Sequence, residues 1–224
     1  MRPLSLSVKG EKSENNEDAL LIMASKGLFV VADGVGGGPS GDFASRTLVD
    51  AIYRMAAGNG PLNAEMLQHA IQSANKLVFD AAQDPNLNGM ASTVACALVN
   101  GDELLTMHVG DSRVYVLNEN TLTQLTQDHT KSVKKSDDTI KNVVTNAVGL
   151  RSEVRIEAQK HRFVPGDELI LVTDGITDVI SDQLMFEILT QTEKGVVDRL
   201  SQLMVASEEM GGRDDKTIIF CLNR

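Results

Sequence analysis

A layered α+β architecture, with sheets packed together and helices outside them, is the fold class this sequence predicts. Three observations carry it. Apolar runs of strand character outnumber helical patterns, the helical patterns come in pairs, and three consecutive strands are joined by tight links. Strict strand-helix alternation, the mark of a parallel sheet, is missing.

Taken in order, "ALLIMA" (19–24) and "LFVVA" (28–32) read as two strands separated by the turn "SKG". From Asp42, apolar Phe43, Ala44, Thr47, Leu48, Ala51, Ile52 and Met55 recur at helical spacing. After "GNGP" the same period runs from Met66 to Ala81, until "DPNLNG" stops it. Then "STVACALV", "ELLTMHV" and "RVYVL" form three strands linked by "NGDE" and "GDS", and Asn100-Gly101 is a strong hairpin signal. Residues 127–141, "QDHTKSVKKSDDTIK", are polar and lysine-rich and read as a loop excursion. Strand-like "RIEAQKHRF" and "ELILVTD" flank the turn "VPGD"; helical patterns at roughly 181–191 and 195–210 precede a closing strand, "KTIIFCL". With no internal repeat and no linker, residues 1–224 are expected to form one domain with a sizeable core.

Lys and Arg total 21 against 31 Asp and Glu, a formal charge of −10. Such a chain is repelled by nucleic acid and by anionic lipid, so neither is an expected partner. Solubility accounts for most of the acidity; binding of divalent cations by a subset of the acids is the sharper reading. Cys96 and Cys221 sit in apolar, strand-like contexts and are expected as small buried hydrophobes in a reducing compartment. The first residues lack the apolar core of a signal peptide, and no apolar run reaches the length of a membrane span. A cytoplasmic monomer is the expectation.

Gly36, Gly38 and Gly41 in "LFVVADGVGGGPSGDFAS" spell the dinucleotide-binding fingerprint. That motif requires a second parallel strand ending in an acid about 20 residues on. Here a helix leads into another helix, and the nearest acid, Asp50, falls inside the first. The nucleotide reading fails on context, and attention passes to Asp33.

Asp33 ends an apolar strand and is followed by Gly34; Asp174 and Gly175 repeat the arrangement in "ELILVTDGITD". Asp111 lies in the turn of "HVGDSRVYV", Asp214 and Asp215 precede the last strand, and Asp18 begins the first of the opening pair. Singly, each is the solvated turn residue or helix cap such positions favour. Brought together, they repel and need protons or cations to coexist. Oxygen ligands without His or Cys partners suit Mg²⁺ or Mn²⁺ rather than zinc.

"NNEDALL", "VVADGVGGGPSGDFAS", "MASTVACAL", "HVGDSRVYVL", "LTQDHT", "VVTNAVGL", "PGDELILVTDGITDVIS" and "GGRDDKTIIF" occur in the order found in the PPM family. These are the metal-dependent, type 2C serine/threonine protein phosphatases, and the chain resembles their compact bacterial members from about residue 10 to 221. The resemblance implies a central β-sandwich of two mainly antiparallel sheets flanked by pairs of α-helices, four layers in the order αββα. It implies hydrolysis of phosphoserine and phosphothreonine by a water shared between two ions, reversing a protein kinase, with that kinase or its targets as partners. Asp33 would bridge both ions and the Gly34 carbonyl would bind the second. Asp174 and Asp214 would hold the first and Asp18 the second, with Glu17 the alternative to Asp18. Asp111 would serve a third, weaker ion. Asp215 stands where the family has Asn, so a register shift of one residue would exchange it with Asp214. Ser40 or Asp42 is the expected cap of the first helix.

The chain departs from the pattern in three places. Ser13 occupies the position of an Arg that grips the substrate phosphate, with Lys12 beside it as a point charge rather than a bidentate fork. Val35 follows Asp33-Gly34 where eukaryotic members have a His. The flap beside the active site is shortened to residues 131–141, whose Lys131, Lys134, Lys135 and Lys141 read as a solvated loop or as attraction for a phosphorylated partner. His69, His108, His129 and His161 show no metal-ligand spacing; His129 is expected to order the loop near the site, without a catalytic role.

Overall fold

The computed structural model describes residues 1–223 except 13, 36–38, 88, 135–137 and 139, and no side-chain placement is described at 39, 140 and 141. Strands β1 (Arg2–Val8), β2 (Asp18–Met23) and β3 (Leu28–Val35) precede helices α1 (Pro39–Ala56) and α2 (Ala64–Ala81). Next come β4 (Ala91–Ser92), β5 (Val94–Asn100), β6 (Glu103–Val109), β7 (Arg113–Leu117) and β8 (Leu122–Gln124). Strands β9 (Thr130–Lys134), β10 (Ile140–Val144), β11 (Glu157–Arg162) and β12 (Glu168–Val172) lead to α3 (Asp174–Thr177), α4 (Asp182–Leu189), α5 (Val196–Glu209) and β13 (Lys216–Leu222).

One sheet runs β11-β6-β5-β3-β2, with β4 attached to β3; the other runs β1-β13-β12-β7-β8. Every pairing among the described strands is antiparallel, which excludes the dinucleotide fold. The period-2 alternation of strand side chains divides the interior into three cores. Leu28, Val30 and Ala32 of β3 face α1 and α2, together with Cys96 and Met107. Phe29 and Val31 point the other way, onto Leu169, Leu171, Ile219 and Cys221 of the second sheet. Ile170, Val172, Ile218 and Phe220 face α4 and α5. Burial on both faces explains why these strands read as unbroken apolar runs. The order is therefore helices, sheet, sheet, helices, as expected.

Both cysteines are buried, and burial pushes the Cys96 thiol up to about 12, so it stays protonated. Asn63 caps α2 by accepting from Met66 N–H at 2.9 Å.

Three expectations are corrected. Helix α1 begins at Pro39, whose missing N–H costs nothing at a first helical position, so Ser40 and Asp42 lie inside the first turn rather than capping it. Residues 130–134 and 140–144 form an antiparallel hairpin rather than a loop. Its described side chains are mostly exposed, so no apolar period announced it. Strand β1 was not anticipated: it pairs along its whole length with β13 but is largely exposed at the sheet edge.

Candidate metal centre

The strand alternation that builds the inter-sheet core also delivers acids to one end of it. Leu20 and Ile22 pack into that core from β2, and Phe29 and Val31 from β3. Asp18 and Asp33 continue the same faces and are direct cross-strand partners. In the second sheet Leu169 and Leu171 are followed on that face by Thr173. Its hydroxyl donates to Asp18 Oδ2 at 2.8 Å and accepts from Thr217 N–H at 2.9 Å. Asp174 follows as the first residue of α3.

The turn that carries Asp111 is tied to the Asp33 backbone through Thr93. Gly110 adopts φ +98° over the Thr93 side chain, a conformation glycine allows. Ser112 Oγ lies 2.6 Å from Thr93 Oγ1, and Thr93 exchanges hydrogen bonds with both backbone polar atoms of Asp33, at 3.0 and 2.8 Å. Arg113 closes the turn by donating from Nε and Nη2 to the Asp128 carboxylate, at 2.7 Å for the latter. Its Nη1 donates to Tyr115, whose hydroxyl donates to Asp182.

Glu17 and Gly34 are pressed together. Gly34 N–H donates to the Glu17 carbonyl at 3.1 Å, and Ser45 Oγ donates to it at 2.6 Å. A Cβ on Gly41 would stand 2.8 Å from both the Gly34 carbonyl oxygen and Glu17 Oε1, so these two oxygens border one small space.

Asp214 and Asp215 separate cleanly. The two oxygens of buried Asp215 accept from Gly10 N–H and Glu17 N–H, each at 2.7 Å, and so fasten the loop between β1 and β2. Asp214 instead presents Oδ2 to Lys12 Nζ at 2.5 Å. Lys12 and Asp214, with Asp178, Gly175 and Arg213, line a cavity of about 140 Å³. The sequence did not single out Asp178, although its placement four residues after Asp174 on a helical turn was the available signal. Nor did it single out Thr93 and Thr173, whose roles depend on contacts across the sandwich.

Among the described residues, Glu17 Oε1, Asp18 Oδ1, Asp111 Oδ1 and Asp174 Oδ1 are buried without a hydrogen-bond donor. Such oxygens are costly unless a proton or cation meets them. Burial raises the carboxyls of Asp18, Asp33 and Asp174 above the ordinary range, and their mutual repulsion adds to the rise at Asp18 and Asp33. Burial, then Asp174, pushes Asp111 up to about 7. Four orphaned oxygens, all carboxylate, fit a hard divalent cation.

Among the described residues, the one group of three whose ligand atoms lie within 4.8 Å of one another is His108, His129 and Glu157. Their hydrogen bonds argue against coordination. His108 Nε2 meets the Gln127 carbonyl at 2.8 Å and so carries a proton. His129 Nδ1 accepts from Gly110 N–H at 3.1 Å and from Asn146 Nδ2, which leaves the proton on Nε2 facing Glu157.

The remaining candidates are peripheral or undescribed. Gly36, Gly38, Ser13 and Lys135 lie outside the described residues, as does the Lys141 side chain. Val35 is 40% exposed. Lys131 is exposed, Lys134 pairs with Asp138 at 2.7 Å, His69 is exposed on α2, and His161 meets Thr106 Oγ1 at 3.1 Å. Among the described residues no helix is long and apolar enough to cross a membrane.

Comparison with known proteins bears on the family and the fold. A family model described as protein phosphatase 2C matches residues 10–213. A serine/threonine phosphatase of Listeria welshimeri is 31% identical, covering 94% of this chain and 91% of the relative. The crystal structure of the Mycobacterium tuberculosis serine/threonine phosphatase PstP/Ppp is 26% identical, with a TM-score of 0.85 over 100% of this chain and 99% of that one. A serine/threonine phosphatase of S. agalactiae is 25% identical, with a TM-score of 0.87 over 98% of each chain. The extent of the family match and the Listeria identity place the chain in the protein phosphatase 2C family.

Proposed function

We propose that this chain hydrolyses phosphoserine and phosphothreonine in proteins, with Mn²⁺ or Mg²⁺ held by the acids at one end of the sandwich. The observation that carries the reading is that Glu17, Asp18, Asp111 and Asp174 each bury a carboxylate oxygen without a donor. Bound there, divalent cations supply positive charge that activates a water and neutralises the phosphoryl oxygens. Asp33 would help to hold two cations, with Asp174 and Asp214 as further ligands of the first. The Gly34 carbonyl is read as a ligand of the second. Glu17, whose orphaned oxygen borders that carbonyl, is preferred over Asp18 as its direct partner. Asp18, fixed by Thr173, then acts on it through water. Asp111 is assigned a third, weaker cation. Asp215 contributes by holding Glu17 and the loop that carries Lys12.

Phosphate monoesters are among the slowest esters to hydrolyse, so such a site has to supply on the order of 20 kcal/mol. Val35 leaves no side-chain acid at the position after Gly34, so protonation of the leaving oxygen is assigned to water. Phosphorylated proteins, a kinase or its targets among them, are the substrates this reading assigns. Phosphate release from a phosphothreonine peptide and from an aryl phosphate, in chelator and in Mn²⁺, is the test. Turnover that is abolished by chelator, restored by Mn²⁺ and lost in Asp33→Ala supports the proposal. Binding of phosphopeptide without turnover would instead mark a regulatory module on the same fold.

A further inference from the structure

Among the described residues Lys216 is the only buried lysine, with 1% of its surface exposed. It opens β13 on the face that Ile218 and Phe220 turn toward α4 and α5. Its stem passes Gly175, where an added Cβ would stand 3.2 Å from Lys216 Cγ. The ammonium donates to the Asp214 carbonyl at 3.1 Å and to no other acceptor among the described residues. Lys12, Lys76, Lys134 and Lys160 pair with acids there; Lys216 does not. Buried ammonium groups are rare unless an anion meets them, because one neutral carbonyl does not replace the water they lose. Two of the three N–H bonds remain to donate.

Lys216 forms part of the wall of a cavity of about 420 Å³, with Lys9, Arg213, Glu11 and Glu208 around it. Those four are exposed, and Glu11 offsets Arg213 at 3.9 Å. Solvent and salt screen them, so the field inside follows the buried charge. The cavity is thus electropositive in a chain whose formal charge is −10. Gly211, Gly212 and Arg213 line it and also line the smaller cavity that holds Lys12 and Asp214. One short segment therefore separates it from the acids of the metal centre. Asp214 takes part on both sides, its carboxylate facing Lys12 and its carbonyl accepting from Lys216.

We infer that this second cavity binds a phosphate group, with Lys216 as the buried counter-charge. The group is either the phosphate that the reaction releases or a second phosphate on the protein substrate. The choice between those sources rests on the phosphatase reading; the site itself does not.

The first measurement is titration of inorganic phosphate into the full chain in chelator, where the acid cluster holds no cation and repels phosphate. Wild type should bind with a Kd on the order of 1 mM. The amides of Gly211 and Gly212 should shift in the nitrogen–proton NMR spectrum, and that of Gly60 should not. Lys216→Met keeps most of the stem and removes an unpaired buried charge, so it should fold at least as stably as wild type. Its phosphate affinity should fall about tenfold or more, the scale of one charge-assisted hydrogen bond. If that variant is unfolded, the wild-type shifts decide. Absence of saturable shifts at Gly211 and Gly212, or equal affinity in folded Lys216→Met, overturns the inference.

The second measurement adds Mn²⁺ and separates the two sources. If the occupant is a second substrate phosphate, Lys216→Met should raise KM about tenfold for a peptide with two phosphothreonines and leave KM for a singly phosphorylated one unchanged. If it is the released phosphate, both KM values stay, and the non-competitive part of inhibition by added phosphate weakens about tenfold. Finding neither change overturns the link to turnover. A chain without any turnover fails the phosphatase reading instead, and the titration in chelator still judges the site.

Discussion

The two Asp-Gly corners, Asp33–Gly34 and Asp174–Gly175, are alike in sequence and differ in what their glycines admit. A Cβ on Gly34 would stand 2.1 Å from the Gly41 carbonyl oxygen and 2.8 Å from that of Glu17. On Gly175 it would stand 2.0 Å from the Asp215 carbonyl oxygen and 3.2 Å from Lys216 Cγ. Neither glycine has a positive φ, so close approach rather than turning is what excludes a side chain. The first corner seats Glu17 and the start of α1; the second seats the segment bearing Asp214 and Asp215. In each, an acid at a strand tip is paired with a gap that brings another acid-bearing backbone into contact. Backbone packing thereby assembles carboxylates that would otherwise repel.

Equivalence of the corners is broken most readily at the acids. Asp33→Asn and Asp174→Asn should each lower kcat/KM on a phosphopeptide by about a thousandfold, near 4 kcal/mol of barrier. Wild-type turnover in Asp174→Asn alone would make the first corner the only catalytic one. The glycines come next. Gly34→Ala and Gly175→Ala force a methyl against backbone oxygen and should cost about 2–3 kcal/mol each, read by urea denaturation. Gly101→Ala is a useful contrast: its Cβ meets nothing within 4 Å, and its φ of +60° alone opposes the change. A cost no greater at Gly34 than at Gly101 would remove close approach as the reason for the first glycine.

The charge that both corners gather sets a pH dependence. Asp111, raised to about 7 by burial, keeps a proton in the folded chain that the unfolded chain gives up near its ordinary, lower value. Asp18, Asp33 and Asp174 are raised in the same direction. Folding therefore binds protons, and stability in chelator falls as pH rises from about 4 through about 7. A cation that binds only the folded chain restores about 2.7 kcal/mol at a hundredfold its Kd. For a chain of this size that is about 5–10 °C in Tm. Calorimetry near pH 8 with and without Mn²⁺ reads the effect; identical melting would leave the acid cluster without its cation.

Legibility in the sequence follows the same physics. Strands β3, β5 and β12 were readable because burial on both faces makes them continuous apolar runs, and α2 because its buried stripe keeps helical period. Strand β1 was hidden: only Leu6 of its residues packs against a core cluster. Strands β4 and β8 are too short to carry a period. The acids at strand tips were visible one by one, and the two Asp-Gly corners raised them above chance. Which of Asp214 and Asp215 is open to the site was not visible, because it depends on Gly10 and Glu17 donating from more than 190 positions away. The grip of His129 on Gly110 was equally hidden, since no spacing rule links a ring to a peptide 19 residues earlier.

The smallest effect concerns the cation the chain itself places in the second corner. Lys12 Nζ lies against Asp214 Oδ2, and that contact, more than the charges of Asp174 and Asp178, raises the lysine's pKa. The Lys12 side chain is 62% exposed, so the pair is worth at most about 1 kcal/mol. Lys12→Met keeps much of the aliphatic stem while removing the charge. If Lys12 only neutralises Asp214, the variant should bind Mn²⁺ up to about fivefold more tightly, because a competing charge is gone. If Lys12 also holds the substrate phosphate, in place of the Arg that Ser13 replaces, KM for a phosphopeptide should rise with kcat unchanged. Titration and kinetics on the same variant separate the two roles. Unchanged Mn²⁺ affinity together with unchanged KM would show that the second corner, like the first, depends on acids and backbone alone.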